Sequence, residues 1–122
     1  MSLSQSTEDY LEAVYLLENE GTPTVTALSE RLKVKKPSVV HALNTLSARR
    51  YIDKEHYGRV TLTASGRRAA KAIFDRHVLI KNFLTSVLGI SEANADKDAC
   101  AMEHVLTPEA LKKIAAYTKG QQ

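Results

Sequence analysis

The sequence predicts a mainly α-helical protein with a small β-hairpin wing, in which an N-terminal winged helix-turn-helix is followed by a helical region. Three observations predict this fold class. Apolar residues recur at spacings of three and four over most of the 122 residues. Two β-rich runs interrupt that pattern around a glycine. Residues 31–71 hold 11 Lys and Arg against two acidic residues, whereas the other 81 residues hold six against 12.

The first two predicted helices precede the basic block. Ser6 is the expected cap of the first helix, and Tyr10 and Val14 form part of its apolar stripe. Gly21 is expected to follow its end. Thr26 is the expected cap of the second, shorter helix, whose inner face carries Leu28.

A third helix should follow after a tight turn at residues 33–36. Pro37 suits the first position of that helix, since a helix leaves the first backbone N–H groups unbonded. At 100° per residue, His41 and Asn44 point away from the inner face. That inner face consists of Val39, Leu43 and Leu46.

A β-hairpin is predicted next, with strands in residues 51–56 and 60–63 and its turn at residues 57–59, around Gly58. Helix, helix, turn, helix and hairpin follow one another as in a winged helix-turn-helix, whose recognition helix enters the DNA major groove. The basic block covers these elements, and a polyanion is the natural partner of such a block. We therefore expect double-stranded DNA to contact Lys35, Lys36, Ser38, His41, Asn44 and Arg59.

Helical spacing returns after Thr63 and continues to Gly89, which predicts one long helix. Its apolar face over residues 72–88 is too large for a small domain to cover, so we expect a homodimer in which Leu111 and Ile114 also take part. Two more helices are predicted, one capped by Ser91 and reaching Val105. The other starts at Thr107-Pro108 and reaches about Lys119.

Composition restricts the possible classes of protein. A hydrophobic fraction of 43% with 25% charged residues is typical of a globular domain. No apolar run approaches 18 residues and no secretory signal is visible, so we expect a cytoplasmic protein without a membrane partner. A single cysteine, Cys100, excludes an internal disulfide and fits a reducing compartment.

Cys100, Glu103 and His104 bring a thiol, a carboxylate and an imidazole onto one face of the predicted helix. These ligand types suit Fe²⁺, Mn²⁺, Co²⁺, Ni²⁺ or Zn²⁺ rather than Ca²⁺ or Mg²⁺. Asp9 and Glu12 form a second acidic edge on the first helix. His77 adds an imidazole from the long helix.

Other interpretations stay open for each of these residues taken alone. Cys100 could be a small buried apolar side chain, and His77 could be a structural histidine. Asp9 and Glu12 could serve only the positive end of the first helix. The combination of all three clusters is what points to a metal site.

Residues 7–15, which read Thr-Glu-Asp-Tyr-Leu-Glu-Ala-Val-Tyr, resemble the opening of the diphtheria toxin repressor and manganese transport regulator family. The resemblance continues in order to about residue 110. It includes Pro37-Ser38-Val39, Val60-Thr61-Leu62-Thr63 leading to Gly66, Arg76-His77, Phe83-Leu84, Ala99-Cys100 and Glu103-His104-Val105. Members of that family are homodimeric winged-helix repressors that bind operators when loaded with Fe²⁺ or Mn²⁺.

The resemblance implies a main metal site at Asp9, Cys100, Glu103 and His104. Asp9 is typical of the manganese-type members and Cys100 of the iron-type members, so this chain combines the two patterns. Glu12 and His77 resemble the second site of the manganese type. The ancillary site of the diphtheria type looks impaired, because its glutamate and second histidine positions carry Lys81 and Asp96. The β-barrel domain that many members add is not expected after Gln122.

The resemblance thus implies a DNA-binding domain at residues 1–63 and a dimerisation and metal-binding domain at residues 64–122. The implied function is a metal-dependent transcriptional regulator that uses Mn²⁺ or Fe²⁺, with Co²⁺, Ni²⁺ or Zn²⁺ as surrogates, and represses metal-uptake or metal-homeostasis genes. A metal-independent winged-helix regulator is the alternative. The third possibility is a small metallohydrolase built on Glu103 and His104. An enzyme is not expected, because catalytic motifs such as His-Glu-x-x-His are absent.

Overall fold

The computed structural model describes residues 3–55 and 58–120, in which it contains six helices and a two-stranded antiparallel sheet. The elements in chain order are α1 (Gln5–Glu20), α2 (Val25–Leu32), α3 (Lys36–Ala48), β1 (Ile52–Lys54), β2 (Val60–Leu62), α4 (Ala64–Ser86), α5 (Glu92–Met102) and α6 (Pro108–Gly120). Two compact units, residues 1–71 and 72–122, divide the chain within α4. None of the helices in these described ranges is long and apolar enough to cross a membrane. The predicted mainly α fold with a hairpin is confirmed.

The N-terminal unit packs three helices against one another and against the hairpin. α1 contacts α2, α3 and β2, and α3 also contacts α2 and β1. The apolar side chains predicted for the inner faces are buried, as periodicity requires. The most completely buried are Leu11, Val14, Leu28, Val39, Leu43, Leu46, Ile52 and Val60.

Two helices begin earlier than the sequence predicts, so the predicted caps at Ser6 and Thr26 are wrong. The Ser4 hydroxyl accepts a hydrogen bond of 3.2 Å from the Thr7 N–H at the start of α1. The Thr24 hydroxyl likewise accepts one of 3.0 Å from the Ala27 N–H at the start of α2. A capping residue has extended backbone and lies just outside the helix, whereas Ser6 and Thr26 lie inside α1 and α2.

The tight turn between α2 and α3 spans residues 33–35. Lys33 adopts a left-handed conformation with φ 56°, which ends α2. The Ser29 hydroxyl then donates to the Val34 carbonyl at 2.5 Å, and the Val34 N–H donates to the Ser29 carbonyl at 3.1 Å. Because α3 starts at Lys36, Pro37 takes the second helical position rather than the first.

The hairpin is anchored to the segment before α2. Its register pairs Ile52 with Leu62. The Val60 N–H donates to the Pro23 carbonyl at 3.0 Å, and Arg59 forms a β-bridge with Thr24. Residues 56 and 57, where the first strand is predicted to end and the turn to begin, lie outside the described residues.

The C-terminal unit forms its own core from α4, α5 and the chain between α5 and α6. Ile80, Leu84, Ala95 and Ala99 are buried at its centre. Phe83, Ile90, Met102, Leu106 and Leu111 pack around them. Leu111, which the sequence assigns to the dimer face, therefore packs within the unit.

The predicted starts of α5 and α6 are confirmed. The Ser91 hydroxyl accepts a hydrogen bond from the Asn94 N–H at 3.4 Å, and the Thr107 hydroxyl accepts one from the Ala110 N–H at 3.1 Å. However, α5 ends at Met102 rather than Val105. The Met102 carbonyl accepts hydrogen bonds from the N–H groups of both Val105 and Leu106, which tightens the chain into a turn.

Candidate metal centre and DNA-binding surface

Glu103 lies at the centre of a polar cluster in the C-terminal unit. Its side chain is fully buried, just after the end of α5. One carboxylate oxygen, Oε2, lies 3.0 Å from His77 Nδ1, and the other, Oε1, lies 3.3 Å from His104 Nε2. Burying a carboxylate is costly without charged or hydrogen-bonding partners. The two imidazoles are therefore integral to the stability of this arrangement.

Cys100 adds a thiol to this cluster from the last turn of α5. Its sulfur and a Glu103 carboxylate oxygen lie within 4.8 Å of each other, and the Cys100 side chain is exposed. The interpretation of Cys100 as a buried apolar residue is therefore wrong. His104 is nearly inaccessible, with 1% of its side chain exposed.

The expectation that Cys100, Glu103 and His104 share one helix face is wrong. Only Cys100 lies within α5, whereas Glu103 and His104 occupy the turn that follows Met102. The turn still places Glu103 Oε1 3.3 Å from His104 Nε2. Thiol, carboxylate and imidazole donors around one buried carboxylate fit a divalent transition metal.

His77 lies on α4 between two carboxylates. Its Nδ1 contacts Glu103, and its Nε2 lies 2.9 Å from Asp96 Oδ1. The Lys81 ammonium lies 3.6 Å from the same Asp96 oxygen. The hydrogen bond with His77 lowers the pKa of Asp96 below its usual value, the nearby charges of His77 and Lys81 act in the same direction, and burial opposes them.

Asp9 and Glu12 lie one turn apart on α1, in the N-terminal unit. That spacing brings both carboxylates to the same side of the helix. Asp9 is half-buried, and Glu12 is buried with 8% of its surface exposed. Burial of Glu12 does not fit the interpretation of a solvated charge that serves only the helix dipole.

The six predicted DNA contacts all lie in the N-terminal unit and all are exposed. They are Lys35, Lys36, Ser38, His41, Asn44 and Arg59. On α3 the predicted division of faces is confirmed, because Val39 and Leu43 are buried while His41 and Asn44 face solvent. Arg59 lies just before β2, on the hairpin.

Sequence reasoning missed Lys54 as part of this surface. The Lys54 ammonium on β1 donates a hydrogen bond to the Asn44 side-chain carbonyl on α3. Lys54 belongs to the basic block, but ten residues separate it from Asn44. Only the hairpin register, in which Lys54 pairs with Val60, brings it beside α3.

Two family models match consecutive parts of the chain. The family described as iron dependent repressor, N-terminal DNA binding domain, matches residues 2–60. The family described as iron dependent repressor, metal binding and dimerisation domain, matches residues 63–120. Together the two matches cover nearly the whole chain.

Individual relatives point in the same direction. An uncharacterized helix-turn-helix-type transcriptional regulator of Methanocaldococcus jannaschii is 38% identical over 117 residues, which are 94% of each chain. The helix-turn-helix-type transcriptional regulator MntR of Oceanobacillus iheyensis is 33% identical over 110 residues, which are 89% of this chain and 74% of that protein.

A solved structure extends the likeness to the fold. A manganese-dependent transcriptional repressor in complex with manganese is 29% identical and superimposes with a TM-score of 0.83. The match covers 93% of this chain and 52% of that one, so the chain spans about half the length of the solved repressor. From the two domain matches and these relatives, the chain belongs to the iron-dependent repressor family of metal-dependent transcriptional regulators.

Proposed function

We propose that this chain is a transcriptional repressor that binds operator DNA through residues 1–63 and senses a divalent transition metal and dimerises through residues 64–122. The observation that carries the proposal is the fully buried Glu103 carboxylate between His77 and His104, with the Cys100 thiol beside it. A buried carboxylate with two imidazoles and a thiol around it is a donor set that suits a divalent transition metal.

The proposed main metal site consists of Asp9, Cys100, Glu103 and His104. The last three are supported by the cluster around Glu103, and Asp9 by the family resemblance. Bound metal would supply positive charge that holds these ligands together. The metal would raise DNA affinity by the factor by which it binds the DNA-competent arrangement more tightly than the other arrangements. DNA would raise metal affinity by the same factor.

A second, weaker site is proposed at Glu12 and His77. Burial of Glu12 and the contact of His77 with Glu103 support it. The family resemblance implies that Cys100 stands where manganese-type members have a carboxylate that bridges the two sites. A thiolate is softer than a carboxylate. We therefore expect Fe²⁺, Co²⁺ or Zn²⁺ to fill this second site more readily than Mn²⁺.

DNA contact is proposed to divide between phosphate and base recognition. Lys35, Lys36 and Arg59 would contact mainly phosphates, because their positively charged side chains are exposed. His41 and Asn44 on the exposed face of α3 would read base edges in the major groove. Ser38, near the start of α3, is proposed as a further contact.

The cellular role is proposed from the family resemblance. The physiological metal is proposed to be Mn²⁺ or Fe²⁺, and the regulated genes to be those of metal uptake or homeostasis. The protein is proposed to act in the cytoplasm as a homodimer without a catalytic activity of its own.

Isothermal titration calorimetry with Mn²⁺ and Co²⁺ tests the metal proposal. We expect the wild type to bind at least one ion per chain, and Cys100→Ala and Glu103→Gln each to lose the tighter binding event. Glu109→Gln, an exposed glutamate in the first turn of α6, is the matched control and should bind as the wild type does.

Loss of one bound ion in His77→Ala, with the tighter event retained, would support the second site, whereas an unchanged stoichiometry would remove it. Absence of any binding by the folded wild type would leave the metal-independent regulator as the better explanation.

A further inference from the structure

The imidazole of His77 contacts one carboxylate on each side, and the two carboxylates differ in exposure to solvent. Nδ1 lies 3.0 Å from Glu103 Oε2, and Nε2 lies 2.9 Å from Asp96 Oδ1. Glu103 is fully buried, whereas 58% of the Asp96 side chain is exposed. The two ring nitrogens therefore face two distinct environments, and the ring itself is only 15% exposed.

The donor chemistry distinguishes the two sides of the ring. On the Glu103 side lie the Cys100 thiol and the His104 imidazole, which are further ligands for a transition metal. On the Asp96 side lies the Lys81 ammonium, 3.6 Å from the same oxygen that contacts His77. A fixed positive charge at that oxygen disfavours a metal ion there, because the two cations would repel each other.

A metal-binding histidine uses one ring nitrogen for the ion and donates the other N–H to an orienting group. A carboxylate in that role fixes the ring and makes the ligating nitrogen more basic. Asp96 has the required position and charge, and Lys81, one helical turn after His77 on α4, lies close enough to hold it in place.

We propose that Asp96 is a positioning residue, which accepts the Nε2–H of His77 and so leaves Nδ1 as the ring nitrogen that binds metal. Lys81 holds Asp96 in this role and keeps a separate cation away from it. This inference deepens the proposed function and rests on it. Asp96 and Lys81 thus form a support for the metal centre, although they stand at positions of an impaired ancillary site.

The test uses the full chain labelled with ¹⁵N-histidine and loaded with ¹¹³Cd²⁺ alone. Scalar coupling between ¹¹³Cd and ¹⁵N identifies which ring nitrogen binds the ion, and His77→Gln assigns the His77 signals. We expect coupling to Nδ1 of His77 and a slowly exchanging proton on its Nε2.

Affinity measurements on Asp96 variants complete the test. We expect Asp96→Ala to weaken Cd²⁺ binding at the His77 site about 10–100-fold, since that is the usual effect of losing an orienting partner. Asp96→Asn keeps an acceptor oxygen without the charge, so its loss of Cd²⁺ affinity should be smaller. Asp98→Asn is the matched control, because it removes the same charge from an exposed position of α5, and its affinity should stay within about twofold of the wild type.

The outcomes separate this inference from the function on which it rests. Three results would overturn the inference while leaving metal binding at Cys100 and His104 intact. They are coupling of ¹¹³Cd to Nε2 of His77, absence of coupling to His77, and an unchanged Cd²⁺ affinity in Asp96→Ala. Failure of the folded wild type to bind Cd²⁺ would overturn the proposed function as well. If Asp96→Ala failed to fold, the coupling pattern of the wild type and the affinity of Asp96→Asn would decide.

Discussion

The Glu18 carboxylate connects three segments of the N-terminal unit. It accepts a hydrogen bond of 3.0 Å from the Leu62 N–H on β2 and one of 2.7 Å from the Arg67 guanidinium on α4. Only 17% of its side chain is exposed. The wing strand is therefore attached to α1 by a charged acceptor that water reaches poorly.

Replacing Glu18 should destabilise the chain because the Leu62 N–H would lose its acceptor. We expect Glu18→Ala to lower the free energy of unfolding by about 1–3 kcal/mol in urea titrations followed by circular dichroism. Glu20→Ala is the matched control, since it removes the same side chain from α1 and breaks only an exposed ion pair with Arg31. It should cost less than about 1 kcal/mol, and equal losses in the two variants would contradict the role of Glu18.

At the residue scale, the sequence predicts the types of functional side chain better than their contacts. Helical periodicity alone predicts the exposure of His41 and Asn44. The bond between Lys54 and Asn44 could not be predicted, because it depends on how the hairpin folds back onto α3. The contact between His77 and Asp96 likewise depends on the packing of α4 against α5, which periodicity does not specify.

At the scale of elements, Gly66 decides how closely the start of α4 approaches the chain before β1. A Cβ atom at this position would lie 1.8 Å from the Tyr51 carbonyl oxygen. That oxygen also accepts the Thr63 N–H at 3.0 Å, and the Thr63 hydroxyl in turn accepts the Gly66 N–H. The backbone at Tyr51 is thus fixed and cannot easily move away.

We therefore expect Gly66→Ala to destabilise the chain by at least about 1–3 kcal/mol, as overpacking does, when unfolding is followed in urea. Gly120→Ala serves as the control, because its added methyl group would meet no atom within 4 Å and alanine favours helix. Its stability should equal or slightly exceed that of the wild type. A Gly66→Ala chain as stable as the wild type would show that α4 can shift without cost.

The order of elements was predictable, whereas their ends were less so. Periodicity and turn residues predict all six helices and the hairpin of the described chain. The sequence predicts Ser6 and Thr26 as caps, whereas the structure uses Ser4 and Thr24, which carry the same hydroxyl groups two residues earlier. Cap preference alone does not distinguish two residues of the same type so close together. After α5 ends at Met102, the Met102 carbonyl accepts hydrogen bonds from two N–H groups. This turn has no distinct pattern in the sequence.

At the scale of the whole molecule, the C-terminal unit presents an apolar groove between α4 and α6. Leu88 and Tyr117 are 57% and 55% exposed there, beside Phe83, Val87 and Ile114. Phe83 and Tyr117 meet edge to face, with ring centroids 6.4 Å apart. The family match over this unit is a dimerisation domain, and apolar surface of this kind is typical of subunit contacts.

We expect the chain to sediment as a homodimer at micromolar concentration, and Leu88→Asp to shift it toward the monomer because a carboxylate would be buried in the contact. Val40→Asp is the control, since Val40 is also exposed but lies on α3 in the other unit. It should remain dimeric. A wild type that sediments as a monomer, with or without metal, would contradict the proposed assembly.

The account rests on a metal-controlled affinity for DNA, which fluorescence anisotropy measures directly. A duplex that the chain selects from random sequences in Mn²⁺ would be titrated with wild type in saturating Mn²⁺ and in chelator. We expect Mn²⁺ to raise DNA affinity by about 5–150-fold, the usual range of coupling between two sites, and Glu103→Gln to lose this increase while retaining the affinity seen in chelator. Equal affinity of the wild type in Mn²⁺, Fe²⁺ and chelator would contradict the account.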